Sequence, residues 1–168
     1  VGTIGISAGP ASGGVDNWYG VIIGKGGHGA HPDQTVDPFH LLAHVIFGLN
    51  GIVSRRINPF EPAAVSIGMI NGGFTENVIP DQVKLSGTFR YANPEIHEHM
   101  RSEIRRAFDI AKAMGGNYEL RFEYGGPPMV NDKMVADVID ATAREMLGTE
   151  NVHEIGKTLG AEDFGEFL

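Results

Sequence analysis

Cysteine is absent from the 168 residues, which excludes disulfide bridges and thiolate metal sites and fits a cytoplasmic setting. Basic side chains are scarce, 13 against 21 acidic, and the net charge of −8 argues against nucleic acid or an anionic membrane as partner. No apolar run approaches the length that spans a bilayer. Internal repeats and low-complexity tracts are also missing. What is present is a 42% hydrophobic, 20% charged composition, enough for an ordinary buried core, and 24 glycines, many of them at predicted turns. The sequence opens on Val1 without an initiator Met and stops inside the apolar run Phe164-Gly165-Glu166-Phe167-Leu168, so it reads as an excised part of a larger protein.

Periodicity gives an element order. Trp18, Tyr19, Val21, Ile22 and Ile23 make a first strand over 17–24. Asp37-Pro38 starts a helix whose Leu41, Leu42, Val45, Ile46, Leu49, Ile52 and Val53 recur at helical spacing, ending near Ser54 and weakened by Gly48 and Gly51. Val65, Ile67 and Met69 form a second strand. Val83, Leu85, Gly87 and Phe89 alternate with Lys84, Ser86, Thr88 and Arg90 in a third, which puts Arg90 on its polar face. Asn93-Pro94 opens a second helix that stops at Gly115-Gly116, and Tyr118, Leu120, Phe122 and Tyr124 mark a fourth strand.

The βαββαβ order predicts an α+β fold of ferredoxin-like type over 15–124, a four-stranded antiparallel sheet with two helices on one face. Its sheet edges invite pairing with a second copy. Gly125-Gly126-Pro127-Pro128 breaks the pattern. Beyond it, Asn131 is expected to cap a third helix bearing Val135, Val138, Ile139, Thr142 and Met146, followed by a short run over 152–155. This tail, 125–168, is too small for a core of its own.

The seven histidines separate by context. His40 and His44 stand four apart on the first helix without the Glu of a metalloprotease pattern. His97 and His99 are expected on the exposed side of a charged helix, and His153 has no recognisable setting. His28 differs, because Gly24-Lys25-Gly26-Gly27-His28-Gly29-Ala30-His31-Pro32 can bring one imidazole and several bare backbone N–H groups close to a bound carbonyl or carboxylate. His31 shares that loop as a secondary candidate. A phosphate-binding role fails, since no Ser or Thr follows Lys25. Arg90 can clamp a carboxylate through two N–H groups, with the Asn77 amide as a further donor. Simpler roles are a strand-edge ion pair for Arg90 and a turn for Asn77.

Gly26-Gly27-His28-Gly29-Ala30, Asn77-Val78-Ile79-Pro80, Gly87-Thr88-Phe89-Arg90 and Gly160-Ala161-Glu162-Asp163-Phe164, in this order and spacing, resemble the co-catalytic metallopeptidase family of aminoacylases and carboxypeptidases. The likeness is to its amidohydrolase branch, the hippurate and indole-acetyl-amino-acid hydrolases. It implies a metal-dependent amidohydrolase acting on N-acyl amino acids or related amides, with zinc, manganese or nickel in the parent enzyme. The segments that supply the family's metal ligands are not in this sequence, so no bound metal and no activity are expected of these residues alone. The resemblance makes 15–124 a lid that dimerises, and 1–14 and 125–168 parts of the catalytic domain. It implies that His28 donates to the oxyanion of the partner subunit's substrate, that Asn77 and Arg90 bind the substrate's carboxylate end, and that Gly27, Glu162 and Asp163 line the cavity. A different reading, from the residues alone, is a free-standing ferredoxin-like dimer that binds a small carboxylated ligand with its glycine-rich loop.

Overall fold

The computed structural model describes residues 2–167; Val1 and Leu168, on which the reading of the two ends partly rests, lie outside the described residues. Along the chain come β1 (Ile4–Ile6), β2 (Gly9–Ser12), β3 (Gly14–Ile23), β4 (Gly27–His28), α1 (Pro38–Arg56), β5 (Ala63–Gly72), β6 (Val78–Ile79), β7 (Gln82–Tyr91), α2 (His97–Ala113), β8 (Asn117–Gly126), β9 (Met129–Asn131), α3 (Lys133–Leu147) and β10 (Val152–Glu154). Strands β5, β7, β3 and β8 lie side by side in that order, every neighbouring pair antiparallel. With α1 and α2 as the two crossovers this is the ferredoxin-like sheet that the alternation predicts.

Strict alternation in β3 buries Asp16, Trp18, Gly20 and Ile22 on one face. Against that face pack Leu41, Val45 and Leu49 of α1 and Met100, Ile104 and Phe108 of α2, in one continuous cluster with Val83, Leu85 and Phe89 of β7. Two glycines set how closely these layers meet. A Cβ on Gly20 would run into the Phe108 ring, and one on Gly48 would stand 3.1 Å from the Ala107 Cβ, so a position that costs helix propensity is what lets α1 and α2 approach. Helix α1 starts as expected, with the Asp37 carboxylate accepting the Phe39 N–H at 2.8 Å and Pro38 in the first turn. It runs on to Arg56, where Arg55 and Arg56 face the negative end of its dipole.

His97 departs from expectation. It is not on a solvated face: its Nε2 lies 3.0 Å from Oδ2 of Asp16, a fully buried carboxylate that Arg101 also grips through Nε and Nη2. The cause is local. The residues Pro94–Ile96 form a 3-10 turn before α2 begins, and β3 starts at Gly14, earlier than the apolar run suggests, which carries Asp16 into the core layer opposite that turn. Burial alone would lower the Arg101 pKa, but the hydrogen bonds and charges of Asp16 and Glu98 outweigh it and hold the guanidinium above its ordinary range. His99 is exposed, with Nε2 2.9 Å from the Arg56 carbonyl oxygen.

Tyr91 closes this end of the core. Burial first, then the charge of Asp16, pushes its hydroxyl up to about 12. An unfolded tyrosine ionises near 10, so between about pH 10 and pH 12 the folded state holds the extra proton. This stabilisation is complete below pH 10 and is lost as pH rises toward 12. Tyr91→Phe should flatten the alkaline decline by up to about 1.4 kcal/mol per pH unit, measured by urea unfolding across that range. Burial also raises Tyr118 and Tyr124, so a residual slope should persist.

The remaining segments meet outside this sheet. β1 pairs parallel with β10, and β2 pairs antiparallel with β9. Asn131 does not cap α3; it lies in β9 and donates from Nδ2 to the Ser7 carbonyl oxygen at 2.8 Å, while the Asp132 carboxylate caps the helix by accepting the Val135 N–H. Only Ala136 and Ala143 of α3 are buried, and Val138 and Met146 of its apolar stripe are 66% and 76% exposed. No helix among the described residues is long and apolar enough to cross a membrane.

Candidate active site

The glycine-rich segment is a hydrogen-bonded ribbon. Lys25 and Val36 exchange both backbone hydrogen bonds at 2.9 Å, and Gly24 N–H donates to the Asp81 carbonyl oxygen at 2.8 Å. Gly26 N–H donates to Oδ1 of Asp81 at 2.9 Å. β4 pairs antiparallel with β6, setting Gly27 opposite Ile79 and His28 opposite Val78, and Gly29 N–H reaches the Asn77 carbonyl oxygen at 2.8 Å. The glycines at 24 and 26 are required by this closeness: a Cβ on Gly24 would strike the Val36 carbonyl, and one on Gly26 would sit 2.6 Å from the Ile79 carbonyl oxygen. Most of the N–H groups that the sequence suggests for an incoming carbonyl are therefore already spent inside the ribbon.

The imidazole is the candidate donor that remains. His28 is exposed at the ribbon end, and its Nδ1 accepts the Ala30 N–H at 3.0 Å. A neutral ring whose Nδ1 accepts carries its proton on Nε2, so a polarised N–H donor faces outward. The His31 ring stands 5.8 Å away, centroid to centroid. Asn77 is exposed beside His28, and its Oδ1 accepts only a long 3.4 Å contact from the Thr75 hydroxyl. Next to them opens a cleft of about 600 Å³ lined by Gly26, Gly27, Phe74, Ile79, Asp81 and Lys84.

Arg90 belongs to the other end of the sheet. Its Nη1 donates to the Leu159 carbonyl oxygen at 2.9 Å, and Gly13 N–H donates to the Gly160 carbonyl at 2.9 Å, which ties the C-terminal segment to the start of β3. Glu162 and Asp163 follow, both exposed, with Asp163 N–H donating to the Glu162 carboxylate at 3.0 Å. His28 and Asn77 adjoin the Gln82 end of β7, whereas Arg90 lies eight residues along it. At the rise of an extended strand that is about 25 Å, so one copy of the chain cannot bring His28 and Arg90 to the same small ligand.

His40 and His44 are exposed with ring centroids 5.0 Å apart. No group of three or more His, Cys, Asp or Glu side chains among the described residues is arranged to hold a metal. Asp81 escaped the sequence reading. The available signal was a carboxylate straight after Pro80, where the chain turns into β7.

A four-stranded antiparallel sheet covered on one face by α1 and α2 defines a ferredoxin-like domain. A family model for the peptidase dimerisation domain of the M20 peptidases matches residues 11–113, and the chain belongs to that family. It is 39% identical over 131 residues to an N-acyl-L-amino acid amidohydrolase of Geobacillus stearothermophilus, covering 77% of this chain and 35% of the relative. With an N-acetylcysteine deacetylase of Bacillus subtilis it shares 36% identity over 165 residues, 98% of this chain and 43% of the relative. Among solved structures, the Bacillus subtilis YXEP protein, described as a dinuclear metal binding peptidase from the M20 family, superposes with a TM-score of 0.77 at 29% identity, covering 99% of this chain and 41% of that one. The chain thus spans about two fifths of the length of the relatives it matches.

Proposed function

We propose that these residues are the lid and part of the catalytic domain of a divalent-metal amidohydrolase that cleaves N-acyl amino acids or related amides, and that two copies complete each site. The separation of His28 from Arg90 supports this reading. A carboxylate held by Arg90 of one copy and an amide carbonyl facing His28 of another suit one small substrate bound across a dimer. His28 presents Nε2–H to the carbonyl oxygen as negative charge develops there, an interaction stronger in the transition state than in the bound substrate. Asn77, on the same copy as His28, supplies an amide donor to the substrate's carboxylate end that Arg90 of the other copy clamps, and Gly27 gives a wall without a side chain. Glu162 and Asp163, near the Arg90 end, line the cavity.

The described residues offer no group of three His, Cys, Asp or Glu side chains that could hold the metal. The related deacetylase and amidohydrolase names support the N-acyl substrate class. The family description and the exposed β5, with Met69 and Ile70 52% and 45% accessible, support the homodimer. The dimer is tested by sedimentation equilibrium of the 168-residue chain, which should give a homodimer at tens of micromolar. A monomer throughout that range would count against the two-copy site. The chemistry is tested by hydrolysis of N-acetyl amino acids by the full-length protein before and after chelation.

A further inference from the structure

The ribbon raises a question that its own pairing does not answer: what fixes the orientation of an exposed histidine flanked by glycines on both sides. Glycine lowers the cost of every alternative backbone conformation, so Gly26, Gly27 and Gly29 by themselves would leave the imidazole free to sample many directions. One side chain intervenes. Asp81 accepts the Gly26 N–H on Oδ1 at 2.9 Å, and its backbone carbonyl accepts the Gly24 N–H at 2.8 Å. These two hydrogen bonds straddle Lys25, which is itself strapped to Val36 on the opposite side. The loop is therefore gripped from both flanks immediately before β4.

We propose that Asp81 is the positioning residue for His28. It holds the entry to β4 in register with β6, so that His28 falls opposite Val78 and its Nδ1 meets the Ala30 N–H. A charge-assisted acceptor suits the task, because a carboxylate bond to a backbone N–H is stronger than a neutral one. Asp81 lies outside the hydrophobic core cluster, and its loss should disturb the loop more than the fold. The proposal rests on the reading of His28 as a donor only for its catalytic meaning; the positioning itself is a property of this chain.

The test is nuclear magnetic resonance on the 168-residue chain. In the wild type, long-range proton–nitrogen correlations should show His28 in the Nε2–H form, and the Gly26 amide should be protected from exchange. In Asp81→Ala the ring nitrogen shifts should collapse toward the average of a free histidine. Gly26 exchange should accelerate at least about tenfold, the scale for losing a hydrogen bond to a charged acceptor, while the far-ultraviolet spectrum and the thermal midpoint stay close to wild type. Asp81→Asn, which keeps an acceptor oxygen, should restore most of both signals.

Unchanged His28 shifts in Asp81→Ala would overturn the proposal. So would an unprotected Gly26 amide in the wild type, and so would an alanine variant that fails to fold, since Asp81 would then be a fold residue. No readout involves catalysis. A full-length protein without amidase activity, paired with a His28 signal that responds to Asp81, would sink the hydrolase reading and leave the positioning role standing.

Discussion

Under the proposed amidohydrolase reading, replacing His28 by Ala in the full-length protein should lower kcat by about 10²-fold to 10³-fold, the scale for losing one oxyanion donor. Folding and metal content should not change. The imidazole is exposed, and its hydrogen bond to the Ala30 N–H is local. The loss should fall on kcat, because an Nε2–H aimed at developing charge contributes little to ground-state binding. Mixing His28→Ala subunits with subunits disabled at the metal site should return part of the activity, since one of the two hybrid sites combines an intact histidine with an intact metal centre. Near-normal kcat in the single variant would remove His28 from the chemistry. An inactive hybrid, shown to have formed, would confine His28 to its own subunit.

Arg101→Met should cost about 3–5 kcal/mol of folding stability, the range for stripping a buried charge of its partner. Asp16 is fully buried and takes Nε and Nη2 of Arg101 together with Nε2 of His97 on a single oxygen, Oδ2. Among the described residues its Oδ1 has no partner, so Arg101→Met leaves the carboxylate with His97 alone. Replacing both members by apolar residues, Asp16→Leu with Arg101→Met, should recover at least half of the loss, because no unpaired charge then remains inside. Urea midpoints of the two single variants and the double variant read this directly. A double variant as unstable as Arg101→Met would show that the pair is not what sets the cost.

The sheet was legible because its strands alternate cleanly and its helices carry unbroken apolar stripes. Val83, Leu85 and Phe89 in β7 announce a single buried face, and the four-stranded order follows from two crossovers that must cover it. Asp16 and His97 were not legible. A carboxylate inside an apolar layer contradicts hydropathy, and only the 3-10 turn at Pro94–Ile96 brings its partner round. At the site, the motif residues could be named in advance, but their grouping could not. Asn77 is brought beside His28 by the hydrogen bond from the Gly29 N–H to the Asn77 carbonyl oxygen, which composition does not signal, and Arg90 is separated from both by the length of β7. Asp81 was invisible for a similar reason: its role depends on which amide lies above its carboxylate.

That separation along β7 has a kinetic meaning. If the two-copy site holds, a single chain with His28 at one end and Arg90 about 25 Å away carries two half-instruments that never address the same molecule. Under the proposed two-copy site, the amount of working catalyst follows the pair population, so at concentrations below the dimer dissociation constant the rate rises with the square of the protein concentration. Dilution then acts as an off switch that leaves every residue in place.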